Sequence, residues 1–168
     1  AAGLPLKNSV SLPFEKSFFS GGANGIRAWR IRSLGPGSFN QEVSSFYKIG
    51  DMQLEANAEL RFDLISIFKG AFFVDAGNIW LVNEDKDRLN GDFKLNRFYK
   101  EIAVGIGAGL RLDFDFFIIR FDYGIQFRDP SLAEGERWIF QKKDIFFDQN
   151  QEKYKMGANF NIGIGYPF

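Results

Sequence analysis

Apolar and polar residues alternate without a break from Asp51 to Phe62. Met52, Leu54, Ala56, Ala58, Leu60 and Phe62 take the even positions, and Asp51, Gln53, Glu55, Asn57, Glu59 and Arg61 the odd ones. Side chains on a strand point to opposite faces in turn, so this spacing predicts a strand with one apolar and one polar face; a helix would mix the two sets. The pattern returns over residues 69–80, 101–114, 117–128 and 153–168. The third stretch sets Ile102, Val104, Ile106 and Leu110 against Glu101, Gly105, Gly107 and Arg111. The second sets Phe72, Val74, Ala76 and Trp80 against Lys69, Ala71, Phe73, Asp75 and Gly77. A globular strand averages about 5–6 residues. A tilted strand that crosses a bilayer needs about 9–11. Five stretches of this length therefore favour a transmembrane β-sheet, apolar toward lipid and polar toward a lumen. A soluble meander or sandwich that buries the same apolar face is the competing reading.

The connections bear on that choice. Residues 63–68 join the first two stretches, and Asp115 and Phe116 join the third and fourth. About twenty residues, 81–100, separate the second from the third, and about two dozen, 129–152, the fourth from the fifth. Short turns at one end and long charged loops at the other are the outer-membrane pattern. Trp80, Phe98, Tyr99, Tyr154, Tyr166 and Phe168 fall at stretch ends, where an interfacial aromatic girdle is expected. With 21 Phe and 18 Gly the chain has the composition of an aromatic-surfaced all-β protein. Barrels start at about eight strands, and an open membrane sheet leaves edge amides unpaired in hydrocarbon. Five strands are therefore expected to form part of a larger barrel, with residues 1–50 as a preceding segment and loop and 51–168 as the strands.

The chain has no Cys and no His, and 21 basic residues balance 21 acidic ones. A disulfide framework, a Cys nucleophile, a Cys/His zinc site and a Ser-His-Asp triad are excluded. A sequence pI near 6.6 gives no basic footprint for nucleic acid. No 18-residue stretch is free of charge, which excludes a transmembrane helix. No leader of the secretory type opens the chain. No cofactor or metal is expected, and the length suits one domain.

Residues 13–37, PFEKSFFSGGANGIRAWRIRSLGPG, are unlike the strands. Gly21, Gly22, Gly25, Gly35, Pro36 and Gly37 punctuate a loop that carries Arg27, Arg30 and Arg32. Such a loop folds back into a lumen or stays solvated. By parity Glu59 and Asp75 share the polar side of neighbouring strands, where one guanidinium can bridge two carboxylates with directional hydrogen bonds. The alternative is three separate solvated charges. Arg30 and Arg32 are assigned to loops or solvent, and Asp113, Asp115 and Asp122 are read as solvated carboxylates. Gly105-Ile106-Gly107-Ala108-Gly109 has no strand–turn–helix context and so is no phosphate cradle. Its glycines are expected to let the loop approach the wall.

The loop phrase resembles the sixth extracellular loop of the BamA/TamA superfamily of outer-membrane assembly factors, the bacterial surface antigens, in the form found in Bacteroidetes-type bacteria. Phe18-Phe19-Ser20-Gly21-Gly22, Ile26-Arg27-Ala28-Trp29 and Leu34-Gly35-Pro36 carry the likeness. So do Ala58-Glu59-Leu60-Arg61-Phe62 and the aromatic-x-Asp-x-Gly phrase Phe73-Val74-Asp75-Ala76-Gly77. The family has Gly where this chain has Ala28. The resemblance implies the last five strands and the preceding lid loop of a sixteen-stranded barrel in the bacterial outer membrane. It implies a lid arginine, Arg27, docked on Glu59 and Asp75, and a C-terminal targeting signal and seam strand ending in Tyr166 and Phe168. It implies a non-enzyme that inserts or exports β-barrel or surface proteins through a lateral seam. Its partners would be outer-membrane lipids, unfolded client proteins, the remaining barrel strands and periplasmic domains. The alternatives are a two-partner-type secretion transporter, a patatin-fused barrel and, from another class, a soluble lipid-binding β-protein.

Overall fold

The computed structural model describes residues 1–3, 14–40, 48–114, 116–139 and 157–165. Five antiparallel strands follow one another in a single meander: β1 Met52–Ile65, β2 Phe68–Trp80, β3 Ala103–Asp113, β4 Ile118–Arg128 and β5 Ala158–Gly165. Among the described residues there is no second sheet, and the helical content is limited to 3-10 turns. No described helix is long and apolar enough to cross a membrane, which says nothing of strands. On the outer edge of β1, Ala1–Gly3 continue the ladder: Gln53 N donates to Ala1 O at 2.9 Å and Gly3 N to Asp51 O at 2.8 Å.

The first turn is tighter than the alternation suggests. Ser66 and Ile67 alone separate β1 from β2, and Ser66 takes a positive φ of 53°. A bulge between Asp63 and Ile65 shifts the register, so period two ends before pairing does. The turn between β3 and β4 lies at the same end, where Asp113 N donates to Ile67 O at 2.9 Å. The long connections lie at the other. The fifth stretch is described only as Ala158–Gly165; residues 153–156 and 166–168, with Tyr154, Tyr166 and Phe168, lie outside the described residues.

The sheet presents two unlike faces. One is bare: Leu60, Phe72, Val74, Phe160, Ile162 and Ile164 are all exposed, Ile164 at 76%. An apolar face of this extent marks a membrane or protein contact. The other carries residues 18–39, under which Ala71, Phe73, Asp75, Ala103, Arg111 and Asp122 are buried. Strand parity places the alternating residues as the spacing predicts, with one correction. Trp80 does not join a girdle at the apolar surface. It is 1% exposed, Phe93 meets its ring edge-on at 5.6 Å, and its Nε1 donates to Glu101 Oε2 at 2.7 Å. The loop after β2 folds back at the strand end, where Leu81 bridges Asp92, and covers Trp80 with Phe93.

Candidate functional site

The segment over the polar face is shaped by its glycines. Gly21 and Gly22 take φ of 97° and 90°, a region L side chains rarely adopt. Gly22 N donates to Trp29 O at 2.8 Å, Trp29 N to Ile26 O at 3.1 Å and Arg32 N to Ser20 O at 3.0 Å. Residues 26–29 thereby form a turn pushed against the sheet. Ile26, Ala28, Trp29 and Leu34 cluster with Ala103 and are at most 4% exposed. At the segment's base Gly35 passes so close to β2 that a Cβ would lie 2.5 Å from Asn78 Oδ1, and a cis bond joins it to Pro36.

At the tip of this turn Arg27 is 4% exposed and meets two carboxylates. Its Nε and Nη2 donate to Asp75 Oδ2 and Oδ1 at 2.9 and 2.8 Å, a bidentate fork. Its Nη1 donates to Glu59 Oε2 at 2.5 Å, and its backbone N to Asp75 Oδ2 at 3.0 Å. Asn57 links the same group, donating to Asp75 Oδ1 at 2.8 Å and to Gly25 O at 3.0 Å. The strand register explains the convergence. Asn57 pairs with Asp75 and Glu59 with Phe73 across β1 and β2, so both acids stand on one face one pleat apart.

Besides Asn57, four participants were not singled out from sequence for the parts they take here. The Phe73 ring lies under the guanidinium, 3.5 Å from Cζ to its centroid. Arg111 on β3 donates from Nη2 to Glu59 Oε2 at 3.0 Å, and its Nη1 stands 2.6 Å from Asp122 Oδ1 on β4. Asp122 is 1% exposed, which corrects the reading of a solvated carboxylate; the same parity that exposed Glu59 and Asp75 to the segment applies to it. Arg61 Nε closes the group on Glu59 Oε1 at 2.7 Å. Three guanidiniums, of Arg27, Arg61 and Arg111, thus balance the carboxylates of Glu59, Asp75 and Asp122. Balance is what allows such burial, because an unpaired buried charge costs several kcal/mol.

Glycines clear the space. A Cβ on Gly105 would lie 2.6 Å from Ala28 Cβ, and one on Gly124 2.9 Å from Ala28 Cα. A Cβ on Gly107 would enter the Phe73 ring, and one on Gly109 the Arg111–Asp122 contact. Ala28 itself needs no special backbone: among the described residues the non-glycine positions of positive φ are Arg32, Ser66 and Asn90. The methyl that distinguishes it from glycine is accommodated because Gly105 and Gly124 have none. Gly77, in the Asp-x-Gly phrase, faces β1 so closely that a Cβ would lie 2.9 Å from Glu55 Cα.

The remaining candidates lie apart. Arg30 is exposed, and the Arg32 guanidinium sits over the Phe19 ring at 4.8 Å. Asp113 pairs with Lys69 at 2.9 Å, while Asp115 lies outside the described residues. No group of three or more metal-ligating side chains is arranged to hold an ion among the described residues. Beyond the strand end, burial pushes the Glu101 carboxyl above its usual range, against the hydrogen bond from Trp80 and the charge of Arg97.

The arrangement does one thing chemically: it pins a glycine-hinged segment to a sheet through a buried, charge-balanced network. The family model described as the Omp85 superfamily domain matches residues 1–168, the whole chain. No curated protein matches it.

Proposed function

Since the chain belongs to the Omp85 superfamily, whose members are bacterial outer-membrane proteins of assembly and secretion, we propose that it forms the C-terminal wall of a sixteen-stranded barrel that inserts or exports other outer-membrane proteins. Residues 1–50 supply the preceding segment and a lid loop, and 51–168 the last five strands. The bare face meets lipid, and the face bearing Arg27 lines the lumen. Client strands enter by edge pairing at a seam bordered by β5 and the residues after it, with Tyr166 and Phe168 as the chain's own targeting signal. The protein is not an enzyme: it lowers the barrier to strand insertion by templating. Its partners are outer-membrane lipids, unfolded client proteins, the other barrel strands and periplasmic domains.

The observation that carries this reading is the fork of Arg27 on Asp75 with its third contact on Glu59. A solvated loop has no use for a buried guanidinium, whereas a lid across a lumen needs an anchor that water does not loosen. Reconstitution of the full-length protein into lipid vesicles tests it, with the folding rate of an unfolded outer-membrane β-barrel as the readout. Acceleration over protein-free vesicles is expected. Folding at the protein-free rate would remove the assembly reading.

A further inference from the structure

We propose that Asn159 and Asn161 are positioning residues that latch β5 to the segment anchored by Arg27, so that docking of the segment and the hold of β5 on the sheet form one coupled equilibrium. The proposal rests on the reading above, in which the outer edge of β5 borders the seam.

On its bare face β5 shows Phe160, Ile162 and Ile164, all exposed. On the other face its positions are Asn159, Asn161, Gly163 and Gly165. Glycine offers no side chain, so within Ala158–Gly165 the two amides are the side chains available to meet the lid. Both are used for it. Asn159 Nδ2 lies 3.1 Å from Arg27 O and 3.2 Å from Trp29 O, and Asn161 Nδ2 lies 2.9 Å from Arg27 O. Asn159 Nδ2 also stands 3.1 Å from Asn161 Oδ1, which orients one amide by the other.

Arg27 is consequently held from two sides. Its guanidinium and backbone N–H are bound by β1 and β2, and its carbonyl by β5. The row that crosses the sheet between these anchors runs Glu59, Phe73, Gly107, Gly124, Asn159. Gly124 in it, where a Cβ would lie 2.9 Å from Ala28 Cα, leaves the gap through which the turn reaches β5. Amide donors suit this task, because the acceptors are backbone carbonyls of a turn; carboxylates in their place would repel them. Coupling of this kind is reciprocal. Release of Arg27 loosens β5, and a β5 drawn away by an incoming strand loosens the lid.

Amide hydrogen exchange of the full-length protein in lipid nanodiscs measures both directions. In Asn159→Ala/Asn161→Ala, residues 26–34 should exchange roughly a hundredfold faster, as the loss of about three modest hydrogen bonds implies, while the centre of β2 is unchanged. In Arg27→Ala, residues 158–165 should speed up by a comparable factor. Both asparagines are partly exposed, so the double variant keeps the test open if Arg27→Ala fails to fold. Unchanged exchange of residues 26–34 in the double variant overturns the latch, as does unchanged exchange of residues 158–165 in a folded Arg27→Ala. Exchange needs no client. Coupled exchange in a protein that does not accelerate client folding would therefore sustain the latch and remove the seam reading alone.

Discussion

Arg27 is committed through four hydrogen bonds to two carboxylates, and the Phe73 ring covers one face of the guanidinium plane. Removing one partner of a buried ion pair typically costs about 3–5 kcal/mol, because the others stay buried and unpaired. Arg27→Ala should therefore release the segment: protease added from outside should cut within residues 20–34 while the barrel keeps its heat-modifiable migration. Arg27→Lys should fall between, since an ammonium keeps the charge and loses the fork. Equal protection in all three proteins would contradict the anchoring role. A second test uses the tight fit at Ala28. Gly105→Ala should weaken docking by about 1–3 kcal/mol through overpacking, and Ala28→Gly in the same molecule should restore it, because the clash is between two Cβ atoms 2.6 Å apart. Gly124→Ala should not be rescued in this way, as its Cβ would meet the Ala28 Cα and N. Additive effects in the first pair, read from protease protection, would mean the two residues do not touch.

At the scale of elements, the two faces of the sheet make opposite demands. Val74 is mid-strand on the bare face and 47% exposed, and Leu95 is 78% exposed in the loop before β3. Arginine at a lipid-facing midplane site costs about 2–4 kcal/mol, and arginine in a solvated loop close to nothing. Val74→Arg should therefore lower folding stability in bilayers by that amount while Leu95→Arg leaves it unchanged; equal costs would mean that the bare face meets water. Strand existence, order of faces and the short–long alternation of connections were legible in the sequence because period two survives wherever one face is uniformly apolar. It failed where that condition lapsed. The bulge near Asp63 hid the true length of β1, and loop cover at Trp80 removed the difference between faces. In the site, parity put Glu59 and Asp75 on one face, and the resemblance pointed to Arg27 as the cation that docks on them. Arg111 and Asp122 share that parity, yet nothing in the spacing says that a loop will cover them, so burial was the missing term. Asn159 and Asn161 act on carbonyls, which carry no side-chain signal at all.

For the whole molecule, the chain is an all-β sheet of the Omp85 superfamily, which on the proposed function would border a plugged lumen and end on a weakly held strand. The strand's weakness follows from composition: Gly163 and Gly165 pack nothing, and its lid-side grip is two amides. If the chain's own assembly reads its C-terminal residues, deletion of Phe168 should lower the outer-membrane yield far more than deletion of Asp87 in the loop after β2; comparable yields would count against a signal there. On the proposed function, client strands add to the sheet at the outer edge of the last strand. The chain contains no Cys, so a single thiol placed along β5 reports on one site in this segment. Disulfide cross-linking of such thiols to a single-cysteine client arrested during assembly by the full-length protein locates that addition. Cross-links are expected from β5 positions spaced by two residues, and none from the centre of β3, which is already paired on both edges. A client that cross-links equally to β3 and β5, or to neither, would contradict it.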